Sequence, residues 1–187
     1  LKVWGHTLLW HAQTAPWFFQ ANPELEETPR PRPAFQPNQP RAPRDPNAPR
    51  PSMAEMWLRS VNGPLACRDV ALERLKIHIM TVAGRYKGRV IGWDVANESI
   101  EDGGDGTTEN LRNFSWYKVV GPDVLTLAFK WAREADPDAE LYYNDYNIEQ
   151  GAVENKGKHA SSMLLLKRLI AEGAPIRLAS NKSAGNL

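Results

Sequence analysis

The sequence predicts a parallel α/β fold, and three observations carry that prediction. Apolar stretches at 2–11, 90–98 and 141–147 hold almost no charge, as strands covered on both faces require. Each is followed by a run with helical spacing of its apolar residues. Each also ends on amides, carboxylates or aromatic side chains. A strand–helix order repeated three times implies parallel strands with right-handed crossovers, since a parallel return needs a connection about as long as a helix. The three polar ends then share one rim, which is the edge where ligands sit in such folds.

The first strand, Lys2 to His11, carries Val3, Leu8, Leu9 and Trp10. Strict alternation puts His6, Leu8 and Trp10 on one face and Thr7, Leu9 and His11 on the other, so His6 and His11 make a poor metal pair. A Trp and a His on one face suit the apolar side of a sugar beside its hydroxyls, although read alone a packed Trp and a hydrogen-bonded core His are the plainer account. The chain leaves this strand through Ala15-Pro16-Trp17-Phe18-Phe19. From Pro23 to Pro51 it holds ten prolines and five arginines and very little apolar surface, the composition of an extended or disordered insertion. Arg30-Pro31-Arg32-Pro33 has the form of a groove-docking ligand, with a passive linker as the plainer reading.

Cys67 to Tyr86 reads as a helix, with Leu75, Ile79, Val82 and Tyr86 on one stripe, Asp69 near its start and Gly88 past its end. The central strand follows and stops on Asn97-Glu98. A carboxyl walled by Trp93 and Val95 would lose solvation, which disfavours its anion; the bland alternative is a solvated, helix-capping Glu98. Glu101 to Gly106 reads as a mobile rim loop, its acidic spacing too irregular for a calcium loop. The clearest helical signal is Val124, Leu127, Ala128, Trp131, Ala132 and Ala135, opened by Pro122 and closed by Asp136-Pro137. A third strand, Leu141 to Asn147, precedes a last helix at about 155–172 carrying Met163, Leu166, Leu169 and Ile170.

Composition narrows the function classes. Of 187 residues 42% are hydrophobic and 24% charged, ordinary for a globular domain, and a net charge of +1 gives no field suited to nucleic acid or acidic membranes. Cys67 is the single cysteine, so neither an intrachain disulfide nor a zinc cluster is expected. Asn97-Glu98-Ser99, Asn113-Phe114-Ser115 and Asn181-Lys182-Ser183 match the short glycosylation pattern, and a glycan on Asn97 would block the rim. Oligomeric state leaves no signature.

Three motifs together resemble one family. Gly5-His6-Thr7-Leu8-Leu9-Trp10-His11, Trp93-Asp94-Val95-Ala96-Asn97-Glu98 and Tyr143-Asn144-Asp145-Tyr146-Asn147 resemble the strand ends of glycoside hydrolase family 10, retaining endo-1,4-β-xylanases on a (β/α)8 barrel. Arg85-Tyr86-Lys87-Gly88 and Ala135-Asp136-Pro137 resemble that family too. The resemblance implies a partial (β/α)8 TIM barrel over 1–187, comprising its third to fifth strands, with the Pro/Arg insertion at about 23–66 and a divergent tail at 177–187. It implies Glu98 as general acid/base and Asn97 as the contact to the sugar 2-hydroxyl. It also implies His6 and Trp10 around the same sugar, with Gln13 nearby, and Asn144, Tyr146 and Asn147 toward the aglycone. The implied partner is xylan or a xylo-oligosaccharide, with no cofactor, and the polymeric substrate implies a secreted enzyme. The family's nucleophile, a Glu in a Thr-Glu-(Leu/Phe)-Asp strand, has no counterpart after Asn147, and Thr108-Glu109-Asn110 lacks its hydrophobic frame. This chain alone is therefore expected to turn over little. A non-hydrolytic β-glycan binder and a related β-1,4-glucanase are the competing readings.

Overall fold

Three strands pair side by side in the order β1 (Trp4–Trp10), β2 (Gly92–Asn97) and β3 (Glu140–Asn144), and both pairings are parallel. The computed structural model describes residues 2–22, 24, 56, 58–61, 63–149 and 156–177. The proline-rich stretch, the 177–187 tail beyond Arg177 and the 181–183 glycosylation pattern lie outside the described residues. Helix α1 (Arg68–Arg85) connects β1 to β2, while α2 (Ser115–Val119) and α3 (Val124–Ala135) connect β2 to β3. Helix α4 (Lys156–Ala171) follows β3. Each parallel return thus carries a helix, as the sequence order required.

The strands pair with one irregularity each. From His6 to Leu9 β1 advances three residues while β2 advances two, from Asp94 to Ala96. From Asp94 to Ala96 β2 advances two while β3 advances one, from Tyr142 to Tyr143. An extra residue in one strand interrupts the alternation of faces. Leu8 and Leu9 are accordingly both buried, so the two-face division expected for β1 does not run through it. Past the bulge the register settles, and Leu9 pairs with Ala96 and Trp10 with Asn97.

Each helix buries part of the stripe expected for it and shifts the rest. In α1 the buried residues are Ala71, Leu75, Ile79 and Ala83, whereas Tyr86 is 43% exposed. The buried row Ala71, Leu75, Ile79 and Ala83 runs at i, i+4 spacing, and α1 packs chiefly against α3. Helix α3 buries Leu125, Thr126 and Phe129 in addition to Val124, Ala128, Ala132 and Ala135, because it packs against α1 and β2 at once. In α4 the core residues are Leu165 and Leu169, while Met163 and Ile170 face out. Leu58, Val61, Leu65 and Ala66 also belong to the core, and Leu65 bridges to Gln20. The packed chain thus begins by Leu58, short of the residue 66 boundary expected for the insertion.

Two glycines permit close approach. A Cβ on Gly5 would meet the Trp93 ring at 2.2 Å, so that indole lies over bare backbone. A Cβ on Gly157 would sit 1.5 Å from the Gly104 carbonyl oxygen, which presses the first turn of α4 onto the loop after β2. That loop is tied down rather than loose. Ile100 bridges antiparallel to Leu111, Glu101 N–H donates to Asn110 O at 2.8 Å, and Arg112 N–H donates to Ser99 O at 2.7 Å. The mobile rim expected at 101–106 is therefore a folded-back hairpin.

Phe129, on α3, is fully buried in the core. Phe129→Ala is expected to cost about 3–5 kcal/mol in urea unfolding, while Ile170→Ala, 49% exposed, should stay within about 0.5 kcal/mol.

Candidate active site

Register alone sets the first geometry of the rim. Trp10 pairs with Asn97, and Asn97 with Asn144, so the ends of all three strands stand level. The Asn144 amide donates from Nδ2 to Asn97 Oδ1 at 2.7 Å, and Asn97 Nδ2 donates to Glu98 Oε1 at 3.2 Å. Asn97 is only 3% exposed. A buried amide must satisfy its polar atoms, and this one does so by fixing its neighbours. A glycan at Asn97 is excluded by the same burial.

Glu98 leaves the strand with φ of 52°, in the left-handed region. Such a conformation in a non-glycine residue persists only where the surroundings enforce it. Here Glu98 N–H donates to Asn144 O at 2.9 Å, and Glu98 O accepts from Arg112 Nε at 3.0 Å. The other two strands leave through similar residues, Gln13 with φ of 59° and Asn147 with φ of 57°. Trp93 does not wall Glu98. Five residues along a strand separate them by roughly 16 Å, and Trp93 lies by Gly5 and Tyr86 instead. Glu98 does not cap a helix either, since α2 begins after Phe114 without a side-chain cap.

His6, Trp10 and Gln13 line a cavity of about 390 Å³ with Thr7, Thr14 and Trp116 among its walls. His6 Nδ1 lies 2.8 Å from Asp94 Oδ2, which leaves Nε2 outward on a half-exposed ring. Asn97, Glu98 and Asn144 form the second group, next to this cavity rather than in its lining. Trp10 and His11 join the two groups, with ring centroids 5.6 Å apart. Tyr146, 39% exposed, reaches the second group through Arg112, whose Nη2 donates to its hydroxyl at 3.2 Å. Asn147 is half-buried at the exit of the third strand. Trp10 Nε1 and His11 Nδ1 are buried without a hydrogen-bond partner among the described residues. No group of three or more His, Cys, Asp or Glu is arranged to hold a metal among the described residues. No described helix is long and apolar enough to cross a membrane.

Sequence reading missed three basic side chains beside this site. His11 Nδ1 is 3.8 Å from Glu98 Oε2; its signal was its place at the very end of the first strand, discounted through an alternation that the bulge interrupts. Arg112 gave no signal, since only the folded-back loop brings it to Glu98. Lys158, fully buried, donates to Asp102 at 2.8 Å, pairs with Asp145 at 3.0 Å, and sits 3.2 Å from the centre of the Tyr146 ring. Burial works against its charge, and the bonds to Asp102 and then Asp145 more than offset that, raising its pKa. Glu109, in the one Thr-Glu pair considered for a nucleophile, is bound by Arg168 Nε at 2.7 Å.

Burial, and after it the Arg112 charge, pushes the His11 pKa below its ordinary value, while Glu98, Glu101 and Asp145 pull the other way. A histidine with a lowered folded pKa binds fewer protons in the fold than in the unfolded chain. Its contribution to stability is therefore complete above about pH 6.5 and declines as pH falls through that value. The His11 C2–H resonance is expected to titrate below 6.5, and Glu98→Gln, which removes a charge that raises this pKa, should shift the midpoint lower still.

The glycosyl hydrolase family 10 profile matches residues 51–178. The chain is 37% identical over 182 residues to endo-1,4-beta-xylanase A of Thermoanaerobacterium saccharolyticum, covering 94% of this chain and 12% of that protein. It is 39% identical over 145 residues to an endo-1,4-beta-xylanase of Geobacillus stearothermophilus, covering 78% and 31%. It is 37% identical over 182 residues to exoglucanase XynX of Acetivibrio thermocellus, covering 94% and 12%. Among solved structures, a mutant of TsXylA, an intracellular xylanase of T. saccharolyticum in complex with xylotriose, superposes with a TM-score of 0.64 at 34% identity, covering 95% of this chain and 42% of that one. A GH10 endoxylanase from sugarcane soil metagenome gives a TM-score of 0.66 at 29% identity, covering 95% and 37%. The chain thus spans less than half the length of these relatives. An intracellular member in the set means that the secretion expected from the resemblance does not follow from kinship. Three parallel strands with crossover helices are part of the (β/α)8 barrel of this group, and the chain belongs to glycosyl hydrolase family 10.

Proposed function

We propose that this chain supplies the glycone wall and the acid/base of a retaining hydrolase acting on internal β-1,4-xylosidic bonds. The observation that carries the reading is the hydrogen-bonded series Asn144–Asn97–Glu98 at one end of three parallel strands. Glu98 protonates the glycosidic oxygen as the aglycone departs, and a second carboxylate attacks the anomeric carbon to form a glycosyl-enzyme. Glu98 then takes a proton from the water that releases the sugar. Asn97 has its Oδ1 occupied by Asn144, which leaves an amide N–H for the 2-hydroxyl. His6 Nε2, oriented by Asp94, and Trp10 bind the same sugar, with Gln13 beside them. Asn144, Tyr146 and Asn147 form the aglycone side.

Retention needs the second carboxylate about 5–5.5 Å away, and no residue of this sequence matches the family's nucleophile motif. The chain is therefore expected to bind xylo-oligosaccharides and hydrolyse little. A β-1,4-glucan is the second reading, supported by the 37% identity to a protein named an exoglucanase.

Calorimetric titration with xylotetraose and cellotetraose separates these readings. Xylotetraose should bind more tightly, and Asn97→Ala should weaken it about 3- to 10-fold, the loss of one hydrogen bond to a neutral hydroxyl. Tighter cellotetraose binding would select the glucan, and absence of binding to either would end the glycan reading. Reducing-sugar release from xylan should not exceed that of Glu98→Gln.

A further inference from the structure

We infer that Arg112 is a positioning residue for the proposed acid/base, fixing the left-handed Glu98 peptide at a set separation from the Tyr146 ring. The inference rests on the reading of Glu98 given above. A single guanidinium, 13% exposed, serves acceptors on two sides of the rim. Nε donates to Glu98 O and Nη2 to Ile100 O, each at 3.0 Å, so the strand exit is clamped across two carbonyls. Nη1 donates to Glu101 Oε1 at 3.0 Å, and Nη2 also reaches the Tyr146 hydroxyl at 3.2 Å. That hydroxyl donates in turn to Asp102, which is held by buried Lys158. Lys158 also lies against the Tyr146 ring.

Tyr146 is therefore fixed at its hydroxyl and on its ring, and Arg112 refers that fixed point back to Glu98. Without this strut the backbone at Glu98 keeps only its bond to Asn144 against an unfavourable φ. The planar fork of arginine can serve several acceptors in fixed directions, which a lysine ammonium cannot reproduce. The charge also acts beyond its bonds, because Arg112 faces His11 together with Glu98, Glu101 and Asp145.

The test uses the 187-residue chain with Arg112→Lys and Arg112→Gln. Amide hydrogen exchange at Glu98 should speed up at least tenfold in both variants, with the core amide of Val95 unchanged. The His11 C2–H midpoint should rise in Arg112→Gln and stay near wild type in Arg112→Lys, which retains the charge. Xylotetraose affinity should fall at least fivefold in both. Wild-type exchange at Glu98 in Arg112→Lys overturns the proposal, as does an unchanged His11 midpoint in folded Arg112→Gln. If Arg112→Gln does not fold, the exchange rate in Arg112→Lys decides alone. If the wild-type chain binds no xylotetraose, the sugar reading fails while the exchange measurement still decides the role of Arg112.

Discussion

One hydrogen bond between two amides organises the rim. Asn144 donates to Asn97 across paired strands, and this fixes the Asn97 side chain so that its remaining donors point to Glu98 and outward. The bond exists because the register puts the two residues side by side, and the register recovers from its bulges just before them. A slip between β2 and β3 would break the amide pair and turn the buried apolar side chains outward together. The site thus depends on strand alignment, and the buried leucines and valines below it keep that alignment.

Charge around Tyr146 is arranged as a closed circuit. Lys158 is buried with Asp102 and Asp145, and Tyr143 donates to Asp145 from beneath. Burying an ammonium is costly, and its partners return that cost only if every donor is met. Here the ammonium meets two carboxylates and an aromatic face. The network contributes little to net stability by that reasoning, and its use lies in specificity: it fixes where Tyr146 can stand. His11, 3.8 Å from the Glu98 carboxylate, is biased toward the neutral form chiefly by its burial.

How much of this was legible in the sequence depended on distance along the chain. Strand positions and the helix order could be read because each depends on local pattern, and the rim residues Trp10, Asn97 and Asn144 because they fall in the strand-end motifs that resemble the family. The stripes on α1 and α4 could be read only in part, since which flank of each is covered depends on the elements packed against it. The bulge near His6 gave no compositional sign, so the burial of both Leu8 and Leu9 could not be read, although His6 and Trp10 do line one cavity. Arg112 and Lys158 act across a folded-back loop and across two elements, and no spacing rule reaches that far. The supposed wall of Trp93 failed for a simpler reason: side chains five residues apart on a strand do not touch.

The three strands all depart the sheet through non-glycine residues with positive φ, at Gln13, Glu98 and Asn147. Each such exit stores conformational energy on the order of 1–3 kcal/mol. Glycine would release it at any of the three, but would also free the chain to wander. A search for thermally hardier variants that scored backbone comfort alone would choose these positions first, and would soften the rim that holds Asn97, Glu98 and Asn144 together.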